Sequence, residues 1–450
     1  MTLESTPHDD AVVPNAEPRA LGVAGRMASA TMLLAIFALL LPISGTVMTM
    51  FRPSGRLVDF AQEWTSARNF LSGRPVYMDI NKSIALNFGV TSSRFPVGAV
   101  NAHPPASVLL ALPFARLDYP QALVAWTGVS LAALALSLLL IARQPGMGSG
   151  WLSLVPISAV VMAGNPFDRQ VYHGQLTLVL LLLITGSWVA VKTGHSRWAA
   201  VQIALAAALK VFPAFLFLYF LVRREWRELL VGLGALAVIA GSAVAVLGFG
   251  NVLAYATVSL PSTQGYSDHW LNASLAGFWS KLFHAPSGHV APLWFSPATE
   301  RVLTLVSVGV VVAMIARSIR AARSEADRDR SFALAVIGML LVSPLTWDHS
   351  FLLLILPIAV LWRTSAPTAF NRIFLLGVIA LLSCNPVPFW GAHIVGQGEW
   401  AAGAARSVAQ PWQTLSVLSY PLYTLLGLFG FATFAAQSLS GGATPARYGR

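Results

Sequence analysis

The sequence predicts an all-α, polytopic membrane protein with about twelve transmembrane helices. Of its 450 residues, 56% are hydrophobic, and the mean hydropathy is +0.66, which is too apolar for a soluble protein. The apolar runs are continuous rather than alternating, and this pattern excludes a closed β-barrel. The 27 prolines and 35 glycines suit helices that kink and break within a membrane domain.

The basic residues lie in short groups at the ends of apolar runs, which is the pattern of cytoplasmic loops. The formal charge of +11 therefore reflects topology and does not predict a nucleic-acid partner. The single cysteine, Cys384, excludes an internal disulfide bond. Because the chain has neither a cysteine pair nor an HExxH motif, we expect no tightly bound metal and no cofactor.

The two ends of the chain are predicted to lie in the cytoplasm. Residues 1–25 are polar and poor in aromatic residues, which is typical of a disordered tail. The apolar run at 27–50 exceeds the apolar core of a signal peptide, and basic residues precede it, so we expect an uncleaved first span of an inner (plasma) membrane protein. The predicted organisation is an amino-terminal tail, a polytopic domain and a carboxyl-terminal tail, at 1–25, 26–438 and 439–450.

The first extracytoplasmic loop, residues 51–118, is predicted to carry interfacial helices. Only 10% of the chain is charged, yet its segment 55–77 contains a concentration of charge: Arg56, Asp59, Glu63, Arg68 and Arg74. Residues 101–116 are apolar but short for a span and have two prolines near their start. We expect this segment to lie in the membrane interface.

Two topologies remain open at residues 198–222, which are apolar and have basic residues at both ends. In the first, a hairpin of two short helices breaks at 210–213. In the second, 198–222 is one span and 104–117 is another. Both versions give about twelve helices, but the second reverses the orientation of 120–191.

In the hairpin topology, five separate polar segments face the extracytoplasmic side of the membrane. Their chemistry suits sugar transfer from a lipid-linked phosphosugar, in which one carboxylate acts as general base and the anomeric carbon is inverted. We predict Asp59 as that base, with Lys210 and then His349 as partners of the donor phosphate. The segments are marked by Asp59, by Asp168 with His173, by Lys210, by Asn272, and by Asp348 with His349.

Further polar and aromatic residues in these segments are candidates for contacts with the sugar or the acceptor. Tryptophan offers a flat face to a sugar ring, although it also anchors helices in the membrane interface. The charged candidates have structural alternatives too, as surface ion pairs or as side chains that snorkel to the interface. The candidates are Glu63, Trp64, Gln175, Asn272 and Trp347.

The order of these segments resembles glycosyltransferase family 87, the polyprenol-phosphate-mannose-dependent mannosyltransferases with the GT-C fold. The resemblance implies a catalytic aspartate, here Asp59, and a polyprenyl-phosphate-linked donor whose phosphate Lys210 and His349 approach. It also implies a GT-C-type architecture with extracytoplasmic loop helices and a lipid or glycan acceptor. The motifs that carry it are DFAQEWTSARNFLSGRPVY from Asp59, HPP from His103, HGQ from His173, LKVFP from Leu209, LNASLAG from Leu271 and SPLTWDH from Ser343.

The sequence departs from the family pattern directly after Asp59. Members often have a tyrosine-rich stretch where this chain has Gln62, Glu63 and Trp64, so the acceptor and the identity of the hexose stay open, with mannose expected. The alternatives are a lipid or polysaccharide transporter or flippase, and a non-catalytic subunit of envelope assembly. Transporters commonly contain internal repeats, and none is evident in this sequence.

Overall fold

A computed structural model describes residues 58–90, 98–144, 164–288, 290–384 and 408–434. Within these ranges the regular secondary structure is helical, and the β-pairing is limited to one isolated bridge between Val290 and Ala409. The all-α prediction is therefore confirmed for the described part of the chain. The predicted tails and the predicted first span lie outside the described residues.

The first helices form a small group around the start of the described chain. Helix α3 has seven residues and is followed by a 3-10 turn, so the segment 101–116 is too short to span a membrane, as predicted. Helix α1 packs against α2, α3 and the start of α4. The bounds are α1 (Phe60–Leu71), α2 (Ile80–Phe88), α3 (Pro105–Ala111) and α4 (Tyr119–Ala142).

The middle of the chain contains two sharp interruptions. Helices α5 and α6 meet at an angle of 115°. Helix α7 ends before Lys210, whose backbone is extended (φ −144°, ψ 133°), and a 3-10 helix with Pro213 follows. Because proline lacks an N–H and disfavours a helical residue before it, the break expected at 210–213 is present. The bounds are α5 (Asn165–His173), α6 (Thr177–Lys192), α7 (Ser196–Leu209), α8 (Phe217–Arg223) and α9 (Trp226–Leu247).

Several of the remaining helices begin at side-chain caps that the sequence encodes. Ser274 Oγ accepts a hydrogen bond of 2.9 Å from the Gly277 N–H at the start of α11, and Ser324 with Asp327 forms a capping box at the start of α13. A 3-10 helix, Asp348–Leu354, leads into α14. The bounds are α10 (Phe249–Ala254), α11 (Leu275–Phe283), α12 (Pro297–Ala321), α13 (Glu325–Val342), α14 (Ile355–Thr364), α15 (Ala369–Ser383), α16 (Pro411–Leu415) and α17 (Tyr420–Phe434).

Four helices of the described ranges are long and apolar enough to cross a membrane, and the bent pair of α5 and α6 makes a fifth if it is one span. Three shorter apolar helices accompany them, at Ser196–Leu209, Phe212–Arg223 and Ala369–Ser383. The four are α4, α9, α12 and the segment Pro411–Phe434. The figure of about twelve helices stays a prediction.

Helix α13 is the centre of the fold. Every residue from Asp329 to Leu341 is buried, and α12, α14 and α17 pack around it. The outer helices show the opposite pattern, because Leu230 and Val238 of α9 are 68% and 69% exposed and Leu305 of α12 is 71% exposed. Such continuous apolar exposure is expected of surfaces that face lipid.

One end of the α13 core is held by a buried ion cluster. Asp329 is 2% exposed and accepts hydrogen bonds of 2.8 Å from Trp188 Nε1 and from Lys192 Nζ. Arg363 pairs with the same carboxylate. Since these donors come from α6 and α14, Asp329 joins three helices while satisfying a buried charge.

We expect Asp329→Asn to destabilise the protein by about 3–5 kcal/mol, because it leaves two cations facing a neutral group in a buried site. The measurement is thermal unfolding in detergent. Glu325→Gln is the matched control, since Glu325 also pairs with Lys192, at 2.6 Å, but its side chain is 64% exposed. The control should cost less than about 1 kcal/mol. Equal effects of the two substitutions would contradict the assignment of the anchor to Asp329.

Candidate functional site

The start of α1 is fixed by aromatic packing. Phe60 stacks on Trp126 with ring centroids 5.5 Å apart, and the Val58 N–H donates to the Tyr119 hydroxyl at 3.3 Å. Asp59 precedes the helix, yet its carboxylate makes no capping hydrogen bond to the α1 backbone. An aspartate at this position commonly caps its own helix. Here the carboxylate is directed to other partners.

The turn between α5 and α6 brings these partners to Asp59. Gly174 has a φ of +65°, and a Cβ atom at this position would lie 2.8 Å from Phe60 Cβ. The Gly174 carbonyl accepts a hydrogen bond of 2.8 Å from Trp126 Nε1. Glycine is therefore required both by the left-handed backbone and by the close approach of α1. His173 and Gln175 lie on either side of it.

Asp59 lies at one end of a chain of polar contacts. Gln175 Nε2 donates to Asp59 Oδ2 at 2.7 Å, and His173 Nδ1 lies 3.3 Å from the same oxygen. Lys210 Nζ donates to Gln175 Oε1 at 3.1 Å. The Asp59 side chain keeps 29% of its surface exposed. A carboxylate and an ammonium group are thus joined through one amide.

The Asp59 carboxyl is held in its charged form. Burial alone would raise its pKa, but His173 and the hydrogen bond from Gln175 outweigh that effect and lower the pKa from 3.8 to about 2. Because folding lowers this pKa, ionised Asp59 stabilises the fold above about pH 4 and loses that contribution as the pH falls towards about 2. At neutral pH the group is therefore ionised and can only accept hydrogen bonds.

His349 lies in the 3-10 helix before α14, near Lys210 and Asp59. It is 5% exposed, and the charges of Lys210 and His173 act on it. Its neighbour Asp348 accepts a hydrogen bond of 2.9 Å from Asn165 Nδ2, which anchors this turn to α5. Among the described residues, His349 Nε2 has no hydrogen-bond partner. We call Asp59, His173, Gln175, Lys210 and His349 the Asp59 site.

Two other predicted contact residues lie on α1 below Asp59. Glu63 is 5% exposed and pairs with His103 Nδ1. Glu63 and His103 line a small pocket beside the α5–α6 turn, together with Asp59 and Gln175. Trp64 is 2% exposed and donates from Nε1 to the Leu117 carbonyl at 3.3 Å. Their predicted contacts with sugar or acceptor stay predictions, and their present partners are protein groups.

Asn272 is almost fully buried, at 1% exposure. Its Nδ2 donates to the carbonyls of Ser267 and Pro344 at 2.9 and 3.0 Å, and its Oδ1 accepts from the N–H groups of Ser274 and Thr346 at 3.2 and 3.0 Å. The side chain therefore joins the loop before α11 to the segment after α13. Its predicted role in sugar binding stays a prediction beside this structural one.

The sequence reasoning did not select the aromatic residues that accompany Trp347. The rings of Tyr266 and His269 contact the half-buried Trp347 edge-on, with centroids 6.2 and 4.8 Å away, and the charge of Asp59 acts on Tyr266. The sequence signal for these residues is the aromatic-rich loop before α11, in which the neighbouring Trp270 is buried, at 7% exposure.

Two further expectations about polar residues can be compared with the structure. Asp168 was expected beside His173 at the site, but its side chain is exposed on α5, whereas His173 faces Asp59. In the described ranges no group of three or more His, Cys, Asp or Glu side chains is placed to hold a metal ion. The expectation that the protein needs no metal or cofactor stays a prediction.

Comparison with known proteins gives a consistent result. Residues 101–344, more than half of the chain, match the family model of glycosyltransferase family 87. The chain is 26% identical over 356 residues to a polyprenol-phosphate-mannose-dependent α-(1-2)-phosphatidylinositol mannoside mannosyltransferase of Mycolicibacterium smegmatis, covering 74% of this chain and 76% of that protein. It is 27% identical over 414 residues to the protein of the same description from Mycobacterium tuberculosis, covering 84% and 87%.

A third relative differs from these two in its described acceptor. The chain is 25% identical over 307 residues to a polyprenol-phosphate-mannose-dependent α-(1-2)-phosphatidylinositol pentamannoside mannosyltransferase of Mycolicibacterium smegmatis. The alignment covers 64% of this chain and 69% of that protein. The three relatives therefore share a donor description and differ in the acceptor described.

We expect Gly174→Ala to be more destabilising than Gly194→Ala. Both glycines have positive φ, at +65° and +77°, but only Gly174 has side-chain atoms within 4 Å of an added Cβ. The left-handed backbone should cost each variant about 1–2 kcal/mol, and the displacement of Phe60 should cost Gly174→Ala roughly 1–3 kcal/mol more. Thermal unfolding in detergent measures the difference. Equal losses would show that Phe60 does not confine the turn.

Proposed function

The chain belongs to glycosyltransferase family 87 and is a glycosyltransferase, and from this premise we propose that it moves a mannosyl group from a polyprenyl-phosphate-linked donor to a hydroxyl of a lipid or glycan acceptor. The names of the relatives support this donor. Their described acceptors, phosphatidylinositol mannosides, support a glycolipid as the first acceptor to test. Membership of an enzyme family argues against the transporter and the assembly subunit.

The observation that carries the proposed mechanism is the contact chain from Asp59 through Gln175 to Lys210. It holds a base and a cation at a fixed separation, as a displacement reaction requires for its entering and leaving groups. The partly exposed carboxylate receives the acceptor, and the ammonium group receives the donor phosphate. Asp59 and Lys210 are then the two ends of the reaction centre.

In the proposed reaction, Asp59 accepts the proton of the acceptor hydroxyl as its oxygen attacks the anomeric carbon. The bond between that carbon and the phosphate oxygen breaks, and polyprenyl phosphate leaves with the bonding electrons. A single displacement inverts the anomeric configuration. Because the pKa of Asp59 is about 2, the carboxylate does not retain the proton at neutral pH, and it releases the proton to water through the 29% of its side chain that is exposed.

The leaving phosphate carries the charge that develops in this step, so donors and cations must face it. Lys210 supplies an ammonium group with N–H donors beyond the one used by Gln175. The unpartnered Nε2 of the buried His349 supplies a second contact. We assign the donor phosphate to the space between these two side chains.

The sugar ring is assigned to the aromatic group beside the Asp59 site. Trp347 and Tyr266 are half-buried, so part of each ring faces outward from the protein. Aromatic faces favour the apolar face of a hexose, which makes Trp347 the preferred stacking residue. Glu63, whose carboxylate lines the pocket below Asp59, is the candidate for a hydroxyl of the acceptor.

The active site is proposed to lie on the extracytoplasmic face of the inner membrane, with both termini in the cytoplasm. The support is the distribution of basic residues. Arg317 and Arg320 at the end of α12 and Arg323 before α13 favour a cytoplasmic position for this turn. The Asp59 site includes His349, which follows the opposite end of α13. Lipid-linked donors reach such a site from the membrane without a soluble nucleotide-binding domain.

We expect Asp59→Asn to lower mannosyl transfer about 10²–10⁴-fold, because the amide cannot accept the hydroxyl proton. The assay uses radiolabelled polyprenyl-phosphate mannose with the lipid extract of cells that lack the protein, in which the unmodified acceptor accumulates. Mass spectrometry of the product identifies the acceptor.

Asp168→Asn is the matched control for Asp59→Asn, since it makes the same chemical change at an exposed aspartate of α5. It should retain the transfer activity of the unmodified protein. Retained transfer by correctly inserted Asp59→Asn would refute the assignment of the base.

A further inference from the structure

We propose that Gln175 is a positioning residue, which orients the Asp59 carboxylate and keeps it apart from Lys210. The inference rests on the proposed function, because it assigns Asp59 and Lys210 to the two ends of the transfer reaction. It gives Gln175 a role other than the sugar contact expected from the sequence.

The orientation of the Gln175 amide is determined by its neighbours. An ionised carboxylate can only accept hydrogen bonds, and an ammonium group can only donate them. The Gln175 amide meets both conditions in one orientation, with its N–H₂ group 2.7 Å from Asp59 Oδ2 and its oxygen 3.1 Å from Lys210 Nζ. A flipped amide would set donor against donor and acceptor against acceptor.

The backbone holds Gln175 in place before any substrate arrives. Its N–H donates to the Gln170 carbonyl at 3.1 Å, and its own carbonyl accepts a hydrogen bond from Gln170 Nε2. The residue is 6% exposed. The conformational entropy of ordering this side chain is therefore lost during folding rather than during catalysis.

The contact selects one oxygen of Asp59 for the reaction. Gln175 and His173 both face Oδ2, so Oδ1 is the oxygen that we assign to the proton of the acceptor. A carboxylate held at one oxygen cannot rotate freely about its Cβ–Cγ bond. Orientation of this kind is a substantial part of catalysis, since small misplacements of a reacting group cost large factors in rate.

The amide also separates two opposite charges. A direct ion pair between Asp59 and Lys210 would leave the carboxylate less able to accept a proton and the ammonium group less able to hold phosphate. Gln175 occupies the space between them as a neutral dipole and bonds to each. Each charged group thus remains available to a different substrate.

Several titratable groups surround Asp59, so a pH profile of transfer reports on more than one of them. They come from α1 itself, from α5, from the break after α7, from the loop before α11 and from the 3-10 helix before α14. The groups are Glu63, His173, Lys210, Tyr266 and His349. Any substitution at 175 must be compared with a variant that adds the same charge elsewhere.

The test is the pH dependence of kcat/KM for mannosyl transfer by purified Gln175→Glu, with polyprenyl-phosphate mannose and the accumulated lipid acceptor. A glutamate here places a second carboxylate against Asp59, and the two groups then titrate as a pair with one raised pKa. We expect the acid loss of activity to move up by about one pH unit or more relative to the unmodified protein. Gln121→Glu, at an exposed position of α4, adds the same charge and should leave the profile unchanged.

Gln175→Met provides a second measurement, because it removes both hydrogen bonds without adding charge. We expect kcat to fall about 10–100-fold with the KM for the donor nearly unchanged, as positioning requires. An unshifted profile in Gln175→Glu, or a loss confined to KM in Gln175→Met, would overturn the inference. If Asp59→Asn is inactive, either result rejects only the role of Gln175, whereas an active Asp59→Asn rejects the proposed base itself.

Discussion

The contact between Phe60 and the backbone of Gly174 is the constraint on which the rest of the site depends. A single added carbon at 174 would lie 2.8 Å from Phe60 Cβ, so α1 and the α5–α6 turn approach too closely for a side chain at position 174. Asp59 is the sequence neighbour of Phe60, and His173 and Gln175 are the sequence neighbours of Gly174. The polar contacts at Asp59 therefore follow from an apolar contact one residue away, which packing makes rigid.

The polar clusters around Asp329 and around Asp59 differ in how fully they are satisfied. Asp329, at one end of α13, receives hydrogen bonds from an indole, an ammonium and a guanidinium group. The Asp59 site instead keeps a partly exposed carboxylate, and within the described ranges the buried Nε2 of His349 has no partner. A satisfied buried charge stabilises structure, whereas an incompletely satisfied one is available to a substrate.

Much of this arrangement could be predicted from the sequence, because charged residues are conspicuous in an apolar chain. The helical class follows from the continuous apolar runs, and the family from the order of the motifs. The approach of Lys210 and His349 to Asp59 was expected because polar residues at membrane depth are costly and gather at functional sites. The contact of His173 and Gln175 with Asp59 joins residues more than one hundred positions apart and depends on the turn at Gly174, which no local pattern encodes. The structural contacts of Asn272 with the backbone at Pro344 and Thr346 are equally non-local, so the sequence does not reveal them.

The most direct test of the central claim is a cryo-electron microscopy structure of the protein with a non-hydrolysable polyprenyl-phosphate mannose analogue. The account predicts the phosphate within about 3 Å of Lys210 Nζ or His349 Nε2, with Asp59 Oδ1 facing the anomeric carbon from the side opposite the phosphate. A phosphate bound away from both Lys210 and His349, or an anomeric carbon beyond the reach of Asp59, would contradict it.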